Sequence, residues 1–143
     1  MLNYGDEENI CETDSFVKLY KERFGDKFFV WRTTLPYDEY LKVMSEAVFY
    51  ICANKTQTGL GAISNSIRQG KTIILRGDNF KWMNSLGVKV YDYDSLENLD
   101  FQTLNKLMLT NEETQVSLDN FMKNAIQKFT HEYWKDEILR CLE

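Results

Sequence analysis

Histidine occurs once and cysteine three times in this 143-residue chain, at His131 and at Cys11, Cys52 and Cys141. A structural zinc site takes four Cys or His ligands at close spacing, and no Cys-x-x-Cys pair exists, so no metal centre is expected. Thiols this far apart form no disulfide framework and suit a reducing compartment. Cys11 and Cys141 read as incidental helix residues, Cys52 as a small core hydrophobe, and His131 as solvated. Glycine and proline are sparse, and no low-complexity tract or internal repeat interrupts the chain. No apolar run approaches the roughly 20 residues that span a membrane. Met1 to Asn9 is polar and acidic, unlike a signal peptide. A cytoplasmic location is therefore expected, peripheral to the inner face of the membrane at most. Positive charge is in the minority, 17 Lys and Arg against 22 Asp and Glu. A net charge of −5 argues against nucleic-acid binding, which neutralises many phosphates. Lys18, Lys21, Arg23 and Lys27 gather locally, but Glu22 and Asp26 dilute them into a solvated helix face.

What is present is apolar. Hydrophobic residues make up 43% of the chain and aromatics 14%, the composition of a folded domain. The length fits one domain spanning residues 1–143. Strand and helix signals alternate along it. Leu2 to Tyr4 reads as a strand stub. Thr13 to Phe24 has helical spacing, with Phe16, Leu19, Tyr20 and Phe24 on one stripe and Gly25 as the stop. Phe28-Phe29-Val30-Trp31 is a short β-rich run, suited to a strand covered on both faces. Pro36 fits the first turn of a helix running to about Ser45, with Asp38 and Glu39 at its positive end. Val48 to Cys52 is the next strand, the most buried in character. Leu60, Ile63 and Ile67 mark a helix closing at Gly70, and Thr72 to Leu75 is a third strand. Asp78 is placed to cap a helix ending at Gly87, and Val88 to Tyr91 is a fourth strand. Residues 101–143 read as a helical tail, with capping-box spacing at Thr110 and Glu113. Its apolar stripe is Leu118, Met122, Ala125 and Phe129, and its last helix carries Trp134, Ile138 and Leu139. This alternation predicts an α/β fold: a three-layer, Rossmann-like parallel sheet with carboxyl-terminal helices. Ligands of such sheets bind at the carboxyl ends of strands, which here means Arg32 to Leu35, Ala53 to Gly61 and Arg76 to Asn79.

The middle loop carries the sharpest signal, Asn54-Lys55-Thr56-Gln57-Thr58-Gly59-Leu60-Gly61. Gly59 and Gly61 free the backbone to approach a ligand, and the helix that follows adds its positive end. Lys55, Thr56 and Thr58 add donors, so the loop reads as a diphosphate cradle. The same spacing also serves a tight turn that packs a helix on a strand. It is not a P-loop, since Lys55 precedes the glycines, and Ser64 stands where a dinucleotide fold has its third glycine. In the loop after Leu75, Arg76 suits a phosphate or sugar and Asp78 a hydroxyl, or both belong to a capped turn.

From Leu35 to Asp92 the chain resembles the carboxyl-terminal domain of GT-B glycosyltransferases. The likeness lies in Leu35-Pro36-Tyr37-Asp38-Glu39-Tyr40-Leu41, in Ser45 to Cys52, in Lys55 to Gly61 and in Gly70 to Asn79. It is greatest to the TDP-N-acetylfucosamine:lipid II N-acetylfucosaminyltransferases, whose loop has the form Arg-Gln-Gln-Gly-x-Gly. With Asn3 to Glu7 and Phe24 to Phe28 it extends over residues 3 to about 92. The resemblance implies transfer of a deoxyamino sugar from a nucleotide diphosphate donor to a lipid-linked or saccharide acceptor in making cell-surface polysaccharide. It implies a metal-independent enzyme without cofactor, whose amino-terminal domain supplies the acceptor base. Gln57, Gly59 and Gly61, with Lys55, Thr58 and Leu60 around them, would face the donor diphosphate. Arg76, Asp78 and Asn79 match the next loop. Tyr4, Gly5, Arg32 and Thr33 lie on loops that surround the nucleotide in GT-B proteins. Thr56 and Thr58 depart from the family loop, and Asn65 or Ser66 stands where many such enzymes carry Glu.

The ends fit a piece of a longer protein. Met1 to Gly5 reads as a strand end with nothing before it, and Leu142-Glu143 is a dipeptide that a common cloning site leaves. Such a piece would bind donor without turnover. Two other readings stand beside this one. A receiver-like regulatory module has its acidic cluster in Asp6, Glu7 and Glu8, but the strand ending at Cys52 lacks the carboxylate such a module needs. An interaction module would use Phe121, Phe129, Tyr133 and Trp134 of the tail.

Overall fold

The computed structural model describes residues 7–31, 33–96, 100–126, 134–135 and 138–140. The chain divides into two compact units, Met1–Val43 and Met44–Glu143. Among the described residues no helix is long and apolar enough to cross a membrane. The strand stub at Leu2 to Tyr4 lies outside them, as do Phe129, His131 and Cys141.

The first unit is built on α1 (Glu7–Phe24), which starts six residues before the Thr13 expected from the pattern. Aromatic rings at i, i+4 spacing form a ladder on it: Phe16 to Tyr20 at 4.4 Å between centroids, Tyr20 to Phe24 at 5.7 Å. Gly25, at φ 56°, ends the helix and opens the 3₁₀ turn Gly25–Lys27. The expected strand at Phe28 to Trp31 does not form. Phe28 has an extended backbone, but the run pairs with no strand among the described residues. Its first ring instead lies 5.4 Å from Tyr20. β-propensity reflects fit to a pleated surface, and here a helix face takes that place.

The second unit contains a three-stranded parallel sheet in the order β1 (Phe49–Cys52), β2 (Thr72–Leu75), β3 (Tyr91–Asp92). α2 (Tyr37–Glu46) precedes β1. The crossovers are α3 (Leu60–Arg68) and α4 (Gly77–Ser85). All four residues of β2 are buried, so β2 rather than β1 is the central strand. Val48 and Ile51 are exposed, and β1 is an edge of the described sheet. Ile73 and Leu75, two residues apart, share a face. They join Ile63 and Ile67 of α3 and Met83 of α4 in one cluster, which places both crossover helices on that face. α5 (Phe101–Leu107) and α6 (Asn111–Phe121) follow, then a π turn, Met122–Ile126. Phe121 and Ala125 enter the same cluster, whereas Met122 of the expected stripe is exposed. Trp134, Ile138 and Leu139 are also exposed. On the opposite face Ile74 is fully buried, and the Thr72 hydroxyl accepts the Leu109 N–H at 3.1 Å.

The strand expected over Val88 to Tyr91 shrinks to Tyr91–Asp92 for a definable reason. The Val88 N–H donates to Met83 O at 3.2 Å and the Lys89 N–H to Ser117 Oγ at 3.0 Å, so neither is left for the ladder. The capping box at Thr110 and Glu113 is present. Asn120 and Asn124 each donate to a carbonyl just beyond α4, Gly87 O and Leu86 O. That satisfies groups a helix end leaves orphaned.

Lys71 is buried, and its ammonium donates to the carbonyls of Ser45 and Ala47 at the end of α2. Burial pushes its pKa below the ordinary lysine value. Lys71→Met leaves both carbonyls without this donor and is expected to cost about 1–3 kcal/mol by urea denaturation. The Asp100 carboxylate caps α5, accepting the Thr103 N–H at 2.7 Å, and this bond draws its pKa below the usual range. A depressed carboxyl pKa contributes stability above the unfolded value, lost as pH falls through the folded one. Protection of the Thr103 amide from hydrogen exchange is therefore expected to fall on acidification, and to persist in Asp100→Asn, whose cap does not titrate.

Candidate functional site

Parallel register brings the carboxyl ends of all three strands to one edge. Cys52 pairs with Leu75 and Leu75 with Asp92, so Ala53, Arg76 and Tyr93 leave the sheet side by side. Two of these exits feed helix starts, and the two starts differ.

The start of α4 is partly taken up by the neighbouring loop. The Asp78 N–H donates to Lys55 O at 3.0 Å. Gly77 has φ 59°, and a Cβ there would lie 2.1 Å from the same carbonyl oxygen, so only glycine fits. Arg76, with extended backbone, occupies the cap position, and no side chain caps the helix. Asp78 therefore sits one residue inside the helix instead of capping it. Its carboxylate is exposed and lies 3.8 Å from Lys81. Asn79 is fully buried and donates to Thr58 O at 3.0 Å. It holds the Thr58 backbone from beneath. Its Oδ1 is the one buried side-chain polar atom among the described residues with no hydrogen-bond partner.

The start of α3 is open. Gly59, at φ 68°, is its cap residue and offers no side chain to the first turn. The Ile63 N–H, bonded to Gly59 O at 3.0 Å, is the first to close the helical ladder. The amides of Leu60, Gly61 and Ala62 precede it and so have no intrahelical partner. A Cβ on Gly61 would meet nothing within 4 Å, so space above this turn is clear. Gly59 is tighter, with the Tyr50 hydroxyl 3.3 Å from where a Cβ would be. Every residue from Lys55 to Gly61 is exposed. Within the loop, Asn54 Nδ2 donates to the Thr58 hydroxyl at 2.7 Å.

Arg76 is the cation of this edge, and a carboxylate holds it. Its Nε lies 3.0 Å from Asp94 Oδ2 and its Nη2 2.8 Å from Asp94 Oδ1. The guanidinium carbon lies 5.6 Å from the centre of the Tyr93 ring. The bond to Asp94 raises the Arg76 pKa further, so the group stays charged. Asp94 stands in the 3₁₀ turn Tyr93–Ser95 after β3. Asp92 shapes that turn, accepting the Asp94 N–H at 3.2 Å on its carboxylate and the Ser95 hydroxyl at 2.7 Å on its carbonyl.

Of the residues singled out from the sequence, Lys55, Gln57, Thr58, Gly59, Leu60, Gly61, Arg76 and Asp78 gather at this edge, with Asn79 beneath it. Thr33 lies exposed in the first unit. Tyr4, Gly5 and Arg32 lie outside the described residues. Tyr93 and Asp94 escape the sequence reading, and Gly77 lies in a marked loop without being singled out. The rule that ligands sit at strand ends reaches Tyr93 and Asp94 once β3 is known to end at Asp92.

Gly77→Ala combines a left-handed backbone with a clash against Lys55 O. It is expected to cost about 2 kcal/mol or more in thermal or urea unfolding. Asn79→Ala is expected to cost about 1–3 kcal/mol, with faster amide exchange through residues 55–59. Comparison with protein-family models, with curated proteins and with solved structures finds no match to this chain.

Proposed function

We propose that the second unit binds the diphosphate of a nucleotide sugar, as the donor-binding part of a GT-B-type glycosyltransferase. In this reading its sheet is the middle of a three-layer, Rossmann-like domain that forms one half of a GT-B fold. The other half of such an enzyme would bring the acceptor and its base. The observation that carries the reading is the contrast between two helix starts at one sheet edge. Neither helix has a side-chain cap, but the protein's own backbone takes the Asp78 amide of α4. Among the described residues no backbone carbonyl takes the Leu60, Gly61 or Ala62 amide of α3, which opens to solvent at Gly59. An uncapped helix start with free amides is a site for an anion. Arg76 leaves the sheet at the same edge and adds a permanent positive charge.

The chemistry follows from where charge develops. Breaking the bond between sugar and phosphate puts negative charge on the leaving diphosphate. Fixed amides at α3 and a fixed cation at Arg76 stabilise that charge more as it grows, which lowers the barrier. Lys55 and Gln57, both exposed on the loop, are placed to reach the ligand from the solvent side. The acceptor is a lipid-linked or saccharide hydroxyl in cell-surface polysaccharide synthesis. The protein acts at the cytoplasmic side, with no membrane contact of its own.

Isothermal titration with uridine and thymidine diphosphates and their sugar conjugates tests this. Binding is expected at millimolar dissociation constants or tighter, unchanged by a chelator. Arg76→Ala is expected to weaken it roughly tenfold, the usual scale of one charged hydrogen bond. Absence of binding to every diphosphate at millimolar concentration would overturn the reading.

A further inference from the structure

We infer that Asp94 is a positioning residue, which pins the Arg76 guanidinium by one edge and aims its other edge at an incoming phosphate. The inference rests on the diphosphate reading above and assigns to one carboxylate the site's preference for phosphate-bearing ligands.

The geometry separates the two edges of the guanidinium. Asp94 engages Nε and Nη2 with both carboxylate oxygens, at 3.0 and 2.8 Å. A guanidinium carries five N–H donors in a rigid fork, so this side-on pair leaves the Nη1 end free. The Arg76 side chain keeps 29% of its surface exposed, which leaves room for a ligand to reach the group. The Tyr93 ring lies against the group and further limits its rotation. The turn that carries Asp94 is in turn fixed by Asp92. Described contacts thus run from β3 through Asp92 and the Asp94 backbone to the Asp94 carboxylate and Arg76.

A carboxylate beside an anion site has two opposing effects. It repels the ligand, and it spares the arginine the entropy of being ordered by the ligand. Asp94 is more than half exposed, so solvent and salt screen its repulsion. An unpinned arginine is among the most conformationally free side chains, and that freedom is lost on binding. Positioning therefore outweighs repulsion at this site.

The test is titration of the full chain with uridine diphosphate, thymidine diphosphate and inorganic pyrophosphate, alongside uridine and thymidine. Asp94→Asn is expected to weaken diphosphate and pyrophosphate binding about three- to tenfold and to leave nucleoside binding unchanged. Asp94→Glu restores part of the loss, and in an Arg76→Ala background Asp94→Asn has no further effect. Thermal unfolding of each variant checks that the fold is kept. Tighter diphosphate binding in Asp94→Asn would make Asp94 a competitor for Arg76 and overturn the inference. An equal loss for nucleosides and diphosphates, or an undiminished loss in the Arg76→Ala background, would also overturn it. Failure of the unaltered chain to bind any diphosphate defeats both proposals. Binding by the unaltered chain with no change in Asp94→Asn defeats this one alone.

Discussion

The carbonyl of Lys55 is the point where the two crossover loops of the second unit meet. It accepts the Asp78 N–H, and the backbone of Gly77 passes so close that no side chain fits between them. The contact consumes part of the positive end of α4 and sets the height at which the loop crosses the sheet edge. Asn79 adds a second tie to the same loop through Thr58 O. With the loop anchored at both Lys55 and Thr58, Gly59 is left to turn the chain into α3 in a left-handed conformation. An open helix start beside one partly taken up is thus the outcome of one backbone contact and one glycine. Without that contact the loop would be an ordinary exposed connection with no fixed direction for its amides.

Legibility in the sequence follows the distance over which each feature is decided. Thr72 to Leu75 is a strand to the residue, because four apolar or β-branched positions between Lys71 and Arg76 leave no other boundary. The capping box at Thr110 and Glu113 is settled within four residues, and both of its bonds are present. Phe28 to Trp31 and Val88 to Tyr91 look equally β-like, yet neither is a full strand. What decides them is where their backbone amides and rings find partners, and those partners lie elsewhere in the chain. Ser117 takes the Lys89 N–H across 28 residues, and no window of local pattern contains that fact.

The candidate site divides along the same line. The glycine-bearing loop from Lys55 to Gly61 is visible as an interruption between a strand and an apolar stripe. Arg76 is visible as a cation at a strand end, but its carboxylate is 18 residues further on. Asn79 shows the opposite case. Its place after Arg76-Gly77-Asp78 invites a role in contact with ligand, while the fold buries it completely. A polar side chain near a functional loop can serve by holding the loop, and its burial distinguishes that from touching a ligand.

The charge balance of the chain bears on the same edge. An acidic protein at −5 repels anions at long range, so attraction to a phosphate has to be local. Free amides at α3 meet this condition, since a helix end acts over about one turn and carries no net charge. Arg76 meets it differently. Its charge is balanced by Asp94, so the pair presents directed N–H groups without a wide positive field. On the proposed function, such an arrangement would recognise an oxyanion by hydrogen-bond direction at close range. In the proposed reading, selectivity for a diphosphate over other anions would depend on geometry at the sheet edge, which the Lys55, Asn79 and Asp94 contacts hold in place, more than on the amount of positive charge.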